Sequence, residues 1–144
     1  MSEQNYASHV KWVPLFHFFL VPVFTINFAW SLYHLKKTGF SLHAAGYVLI
    51  AAAFVVQLVL QRTFALRVQD RVIRLEEQLR YQRVLPADLQ ARAAEFTLGQ
   101  IVSLRFASDA ELPVLARKTL DEKLQNRKAI KQLIKNWKAD ELRA

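Results

Sequence analysis

Apolar and polar positions divide the chain into two stretches of opposite character. WVPLFHFFLVPVFTINFAWSLYHL, residues 12–35, runs for 24 positions without a formal charge, and TGFSLHAAGYVLIAAAFVVQLVLQ, residues 38–61, runs for another 24. At 1.5 Å rise per residue each reaches about 36 Å, enough to cross a hydrocarbon core of roughly 30 Å with some tilt. The alternative is a signal peptide followed by a buried core helix. A cleaved signal needs a basic opening, a short apolar run and a small-residue cleavage site. Here Glu3 and Asn5 open the chain and the bulky WSLYHLKK closes the first run, so two membrane spans are predicted. Pro14 suits a first helical turn, whereas Pro22 lies inside the span and should kink it.

Within the first span, His17, Leu20, Phe24, Asn27, Ser31 and His34 are spaced by threes and fours, which aligns them on one helix stripe. In the second span, His43, Gly46, Ile50, Ala53, Gln57 and Gln61 form a similar stripe that again collects polar groups. Polar side chains avoid lipid, so the two stripes should face each other or a neighbouring subunit. Imidazole ligates iron and titrates near neutrality, which makes these histidines candidates for a haem or proton site. Haem would need two histidines at one depth on facing helices, and only His34 and His43 qualify. Interhelical hydrogen bonding is the simpler role, and no cofactor is predicted.

The link Lys36–Ser41 is short, so the spans should form an antiparallel hairpin. Its loop offers two lysines, while the other side offers Lys11, Arg62, Arg67, Arg71, Arg74 and Arg80. Basic residues near span ends favour the cytoplasm, which places both termini there. Trp12, Trp30 and Tyr33 suit aromatic belts at headgroup depth.

No helix breaker follows until Pro86, so RTFALRVQDRVIRLEEQLRYQRVL should continue the second span as one helix. Val68, Val72, Leu75 and Leu79 step 4, 3, 4 and form a coiled-coil-like association seam. It extends the intramembrane stripe and would pack on the chain's own C-terminal helices or on another copy. Asp70 with Arg74 and Glu76 with Arg80 have i,i+4 spacing for exposed ion pairs. Beyond Pro86, Leu89, Ala93 and Phe96 share one helical face, and Leu98–Phe106 reads as a further helix. Ser108-Asp109-Ala110-Glu111 has capping-box spacing before Leu112, Leu115, Ala116, Leu120 and Leu124. Pro113 should leave that helix's first turn bent or 3₁₀. A last helix should carry Ile130, Leu133, Ile134 and Trp137 beneath a basic surface of Arg127, Lys128, Lys131, Lys135 and Lys138.

Composition sharpens the division. Residues 1–61 contain four charged side chains, Glu3, Lys11, Lys36 and Lys37, whereas residues 62–144 contain 17 basic and 11 acidic ones. Three glycines and four prolines are too few for a turn-rich β fold. The absence of cysteine excludes disulfides, thiolate metal sites and cysteine nucleophiles. No phosphate-cradling glycine loop, His/Cys metal spacing or Ser-His-Asp set occurs, so no enzyme is predicted. Residues 117–138 carry eight basic against two acidic residues, and 98–124 has the outline of a helix-turn-helix. Any helical pair gives that outline. Anionic headgroups explain a basic face beside a membrane more economically, at about 1 kcal/mol per basic residue, so nucleic acid is not the expected partner.

HVKWVPLFHFFLVP, RVQDRVIRLEEQLR, GQIVSLRFASDAELP and RKAIKQLIKNW together resemble a family of small bacterial membrane proteins known as a domain of unknown function. The resemblance covers nearly the whole chain and implies two spans in a bacterial inner membrane. It implies no activity, substrate or cofactor.

The expected fold is all-α, a transmembrane helical hairpin whose long second helix extends into a small helical cytoplasmic domain. The expected segments are an N-terminal segment at 1–11, the hairpin at 12–61, a helical stalk at 62–85 and a basic helical domain at 86–144. The expected role is a scaffold or accessory subunit that self-associates or binds a membrane-complex partner. Its rivals are a homo-oligomeric channel lined by the polar stripe and a haem- or quinone-binding anchor of a redox complex.

Overall fold

The computed structural model describes Tyr6 and residues 12–140; Lys11 and most of the expected N-terminal segment lie outside the described residues. Among the described residues the fold is helical, without strands beyond one isolated bridge between Ala107 and Trp137. A π-helical segment, Leu15–Leu20, leads into α1, Val21–Lys37, and α2 runs Leu42–Val84. Then come α3 (Ala87–Ala91), a 3₁₀ turn (Ala93–Glu95), α4 (Leu98–Leu104), α5 (Leu112–Asp121) and α6 (Arg127–Gln132). Two compact units result, one reaching to Leu66 and the other starting at Arg67, with α2 belonging to both.

In the first unit a π-helical segment ends just before Pro22, which falls in the first turn of α1 and not inside one continuous helix. Proline cannot donate to the i−4 carbonyl, and the Val21 N–H bonds back five residues to Phe16 O. The turn after α1 follows from Gly39 at φ +68°, which lets the Phe40 N–H donate to Leu35 O at 3.2 Å. That i→i−5 bond ends the helix as a Schellman motif. Across the turn the Phe24 and Phe54 rings stack at 5.1 Å. Ala44, Ala51 and Leu58, seven residues apart, are the buried positions of α2 in this unit.

The second unit has a conventional core. Ile73 and Tyr81 of α2, with Leu85 just beyond it, pack with Leu89, Phe96, Ile101, Leu104, Leu112, Leu115, Ile130 and Ile134. The portion of α2 expected to be a stalk is therefore one wall of this domain. Leu89 and Phe96 are buried with Ala93 beside them, but not on one helical face as expected: α3 ends at Ala91, Ala93 opens the 3₁₀ turn and Phe96 is extended.

Four further local expectations give way. The capping box forms at Thr97–Gln100, where Thr97 Oγ1 accepts from the Gln100 N–H and Gln100 Oε1 accepts from the Thr97 N–H. It does not form at Ser108–Glu111, because the Glu111 carboxylate is engaged elsewhere and the buried Ser108 hydroxyl has no hydrogen-bond partner among the described residues. Glu111 accepts from the Lys135 and Asn136 N–H groups and Asp109 from Arg80. Helix α5 consequently starts at Leu112, which puts Pro113 in a first turn where its missing N–H costs nothing. Second, α4 stops at Leu104, short of Phe106. Third, the last helix stops at Gln132; the chain beyond it is drawn to Glu111 and then to Phe106, whose carbonyl accepts from the Lys138 N–H at 2.7 Å. Fourth, Arg80 pairs with Glu77 and Asp109 and not with Glu76, and Asp70 and Arg74 make no ion pair among the described residues.

Candidate functional site

The polar residues of the two long helices do not all share one environment. His17 is turned back on its own helix, with Nδ1 3.1 Å from the Val13 nitrogen and its ring edge-on to Trp12 at 5.0 Å. Ser31 is buried and donates to Phe28 O at 2.7 Å. Asn27, His34, His43, Gln57 and Gln61 are exposed and make no side-chain hydrogen bond among the described residues. Asn27, Ser31 and His34 do come together, lining a groove of about 430 Å³ with Trp30, Tyr47, Ile50 and Phe54. His43, the other candidate haem ligand, does not line it. Among the described residues there is no cluster of three His, Cys, Asp or Glu able to hold a metal ion.

In the second unit Val68, Val72, Leu75 and Leu79 are 62%, 45%, 62% and 61% exposed. The domain's own core covers a different face of α2, the one carrying Ile73, Glu77, Arg80 and Tyr81. Of the two partners considered for the seam, the chain's own helices are thus engaged elsewhere.

That covered face holds a buried ionic node which the spacing of charges did not single out. Arg80 is 4% exposed. Its Nε donates to Asp109 Oδ1 at 2.7 Å, Nη1 to Glu77 Oε2 at 3.2 Å and Arg105 O at 3.3 Å, and Nη2 to Ala107 O at 2.6 Å. The guanidinium thereby fastens α2 to segment 105–109, whose far side is held by the tail through Ser108 N–H to Asn136 O. Burial pushes the Glu77 carboxyl above the usual range, opposed by the charge and hydrogen bond of Arg80. Asp109 moves the other way, held low by its hydrogen bond from Arg80. Tyr81 is also pushed up by burial and by the Glu77 charge, and its hydroxyl has no hydrogen-bond partner among the described residues. The sequence does contain a signal for this node: Ile73, Glu77, Arg80 and Val84 step 4, 3, 4, an apolar stripe interrupted by one acid and one base.

The basic residues are spread over α6 and the tail. Arg127, Lys128, Lys135 and Lys138 are exposed, whereas Lys131 is partly buried with Nζ 5.1 Å above the Phe106 ring. Asn126 caps α6, accepting from the Lys128 and Ala129 N–H groups. Arg127 lies against Gly99 of α4, where an added Cβ would sit 2.9 Å from its Nε.

The molecule is an all-helical protein with two helices long and apolar enough to cross a membrane and a helical domain closed by a buried ionic node. The chain belongs to DUF6526, a family of unknown function whose model matches residues 1–144. No curated protein and no solved structure matches it.

Proposed function

We propose that this is a non-enzymatic integral membrane protein, a scaffold or accessory subunit anchored by a two-span hairpin with both termini in the cytoplasm. One observation carries the reading: the large apolar side chains of the first unit point outward. Phe18, Ile26, Trp30 and Leu49 are 67%, 68%, 64% and 72% exposed, and similar residues surround both helices. A core helix of a water-soluble protein would bury them. In water so large a contiguous apolar surface promotes aggregation, and a bilayer is the solvent that suits it.

The arginines of α2 favour the cytoplasm for the second unit, and the family resemblance favours a bacterial inner membrane. The exposed Arg127, Lys128, Lys135 and Lys138 then suit anionic inner-leaflet headgroups. The Arg80–Glu77–Asp109 node fits a structural role, since the Arg80 guanidinium spends its donors within the domain. The exposed seam and the unpaired amides on the spans favour association, with another copy or a membrane-complex partner. The channel reading retains one supporting feature, the groove lined by Asn27, Ser31 and His34.

Two measurements test the anchor and its orientation. Alkaline carbonate should leave the chain in the membrane pellet, and release into the supernatant would sink the membrane reading. A reporter fused after Ala144 that works only outside the cytoplasm should be silent, whereas activity would reverse the topology.

A further inference from the structure

The exposed apolar face of α2 has a regular register. Val68 and Leu75 take d positions of a heptad repeat, and Val72 and Leu79 take a positions. On that register Arg71 and Gln78 fall at g, and Glu76 and Arg83 at e. All four are exposed and make no ion pair or hydrogen bond among the described residues. Glu76 is free because Arg80, its i,i+4 neighbour, is buried against Glu77 and Asp109. The domain has thus turned its one competing arginine inward and left an unpaired acid beside an uncovered apolar stripe.

From this we infer that the Val68–Leu79 face is the interface of a parallel, in-register two-stranded coiled coil with a second copy of this chain. Charge complementarity selects the occupant and the direction. In a parallel pair each g residue meets the e residue five positions on in the partner helix. Arg71 then meets Glu76 of the other copy, twice by symmetry, and Gln78 meets Arg83 as a hydrogen-bonding pair. An antiparallel pair aligned on the same four apolar layers sets g against g and e against e. It would place Arg71 against Gln78 and Glu76 against Gln69, without an ion pair. In the two central layers, Val72 at a with Leu75 at d favours two strands, whereas the outer layers, Val68 at d and Leu79 at a, do not add to that preference. The inference rests on the membrane reading in one respect: two copies inserted with the same topology present this helix in parallel. Four apolar layers are too few to hold two free peptides together, and confinement in one membrane raises the effective concentration.

The chain has no cysteine, so single substitutions report the interface directly. Leu75→Cys and Val68→Cys in full-length protein in native membranes should each form an intermolecular disulfide on mild oxidation. Facing d positions bring two α-carbons within the 4.4–6.8 Å that a disulfide spans. Arg74→Cys, on an outer face, should not. Arg71→Glu in the Leu75→Cys background replaces two attractive contacts with two repulsive ones and should lower the cross-linked fraction roughly tenfold. Adding Glu76→Arg should restore it. Failure of both Leu75→Cys and Val68→Cys to cross-link, or equal cross-linking at Arg74→Cys, overturns the proposal. So does preferential cross-linking of co-expressed Val68→Cys and Leu79→Cys chains to each other, the antiparallel result. Absence of rescue also counts against it. Carbonate extraction of the same membranes is scored separately, so loss of the dimer in a retained protein is distinguishable from failure of the membrane reading.

Discussion

Arg80 illustrates how a single side chain can hold a small domain shut. Its guanidinium reaches two carboxylates and two backbone carbonyls, tying α2 to segment 105–109. Truncating it leaves Glu77 as a buried carboxylate without its ion-pair partner and removes the Arg80 donors to the Arg105 and Ala107 carbonyls. Arg80→Met should therefore cost about 3–5 kcal/mol of stability, read as a lower melting temperature of the detergent-solubilised protein. Glu77→Leu on top of it should recover much of the loss, because removing both charges is far less costly than stranding one. The pH dependence follows from the two carboxylates. Glu77 has a raised pKa when folded, so its contribution is fully present below 4.5 and fades as pH rises through the raised value. Asp109 has a lowered pKa, so its contribution is present above 3.8 and is lost as pH falls through the lowered value. In Arg80→Met the Glu77 carboxyl loses its lowering partner, so the defect should shrink as pH falls. A defect equal at pH 5 and pH 8 would show that Glu77 is not the stranded charge. The node was hard to read from sequence because a glutamate and an arginine on a helix are usually solvated, and only the tertiary partner Asp109 marks them as buried.

At the scale of elements, α2 past Arg67 presents two apolar faces that differ in what covers them. Ile73 is 5% exposed and belongs to the core, whereas Leu75 is 62% exposed. Ile73→Asp buries an unpaired carboxylate and should unfold the domain, seen as protease sensitivity beyond Arg67. Leu75→Asp with Leu79→Asp should leave the domain protease-resistant while abolishing the assembled species in mild detergent. Unfolding by both would mean that the two faces are not separate. This pair of faces marks the limit of what periodicity can convey. The spacing of Val68, Val72, Leu75 and Leu79 was legible, and so was the helix through Val84, since no breaker interrupts it. Which stripe the domain would cover was not, because the choice depends on distant contacts such as those of Arg80 with residues 105–109. The capping signals failed for the same reason. Ser108–Glu111 and Thr97–Gln100 both have the S/T-x-x-E/Q spacing, but Glu111 is held by the tail N–H groups, so only the second pair forms the reciprocal cap. Likewise the 3.6-residue spacing of Ile130, Ile134 and Trp137 predicted one helix. Ile130 and Ile134 are buried as that spacing requires, yet the backbone leaves the helix at Leu133 to reach Glu111 and Phe106.

For the whole molecule, the open question is what satisfies the unpaired amides on the apolar helices. Asn27 lies midway along the first of these and lines the groove with Ser31, His34 and Tyr47, with no partner of its own among the described residues. In a bilayer its amide requires either a group on a neighbouring helix or water. As a scaffold, the protein would offer Asn27 a partner on an adjacent subunit, and such interhelical hydrogen bonds contribute about 0.6–2 kcal/mol. Asn27→Leu would then weaken association modestly and leave ion flux absent throughout. As a channel, the groove would be one wall of a wetted path, and leucine would narrow and dry it. The purified protein in liposomes separates the two, since wild type should show no conductance under the scaffold reading. A robust current abolished by Asn27→Leu, with the oligomer intact by cross-linking, would replace the scaffold with the channel.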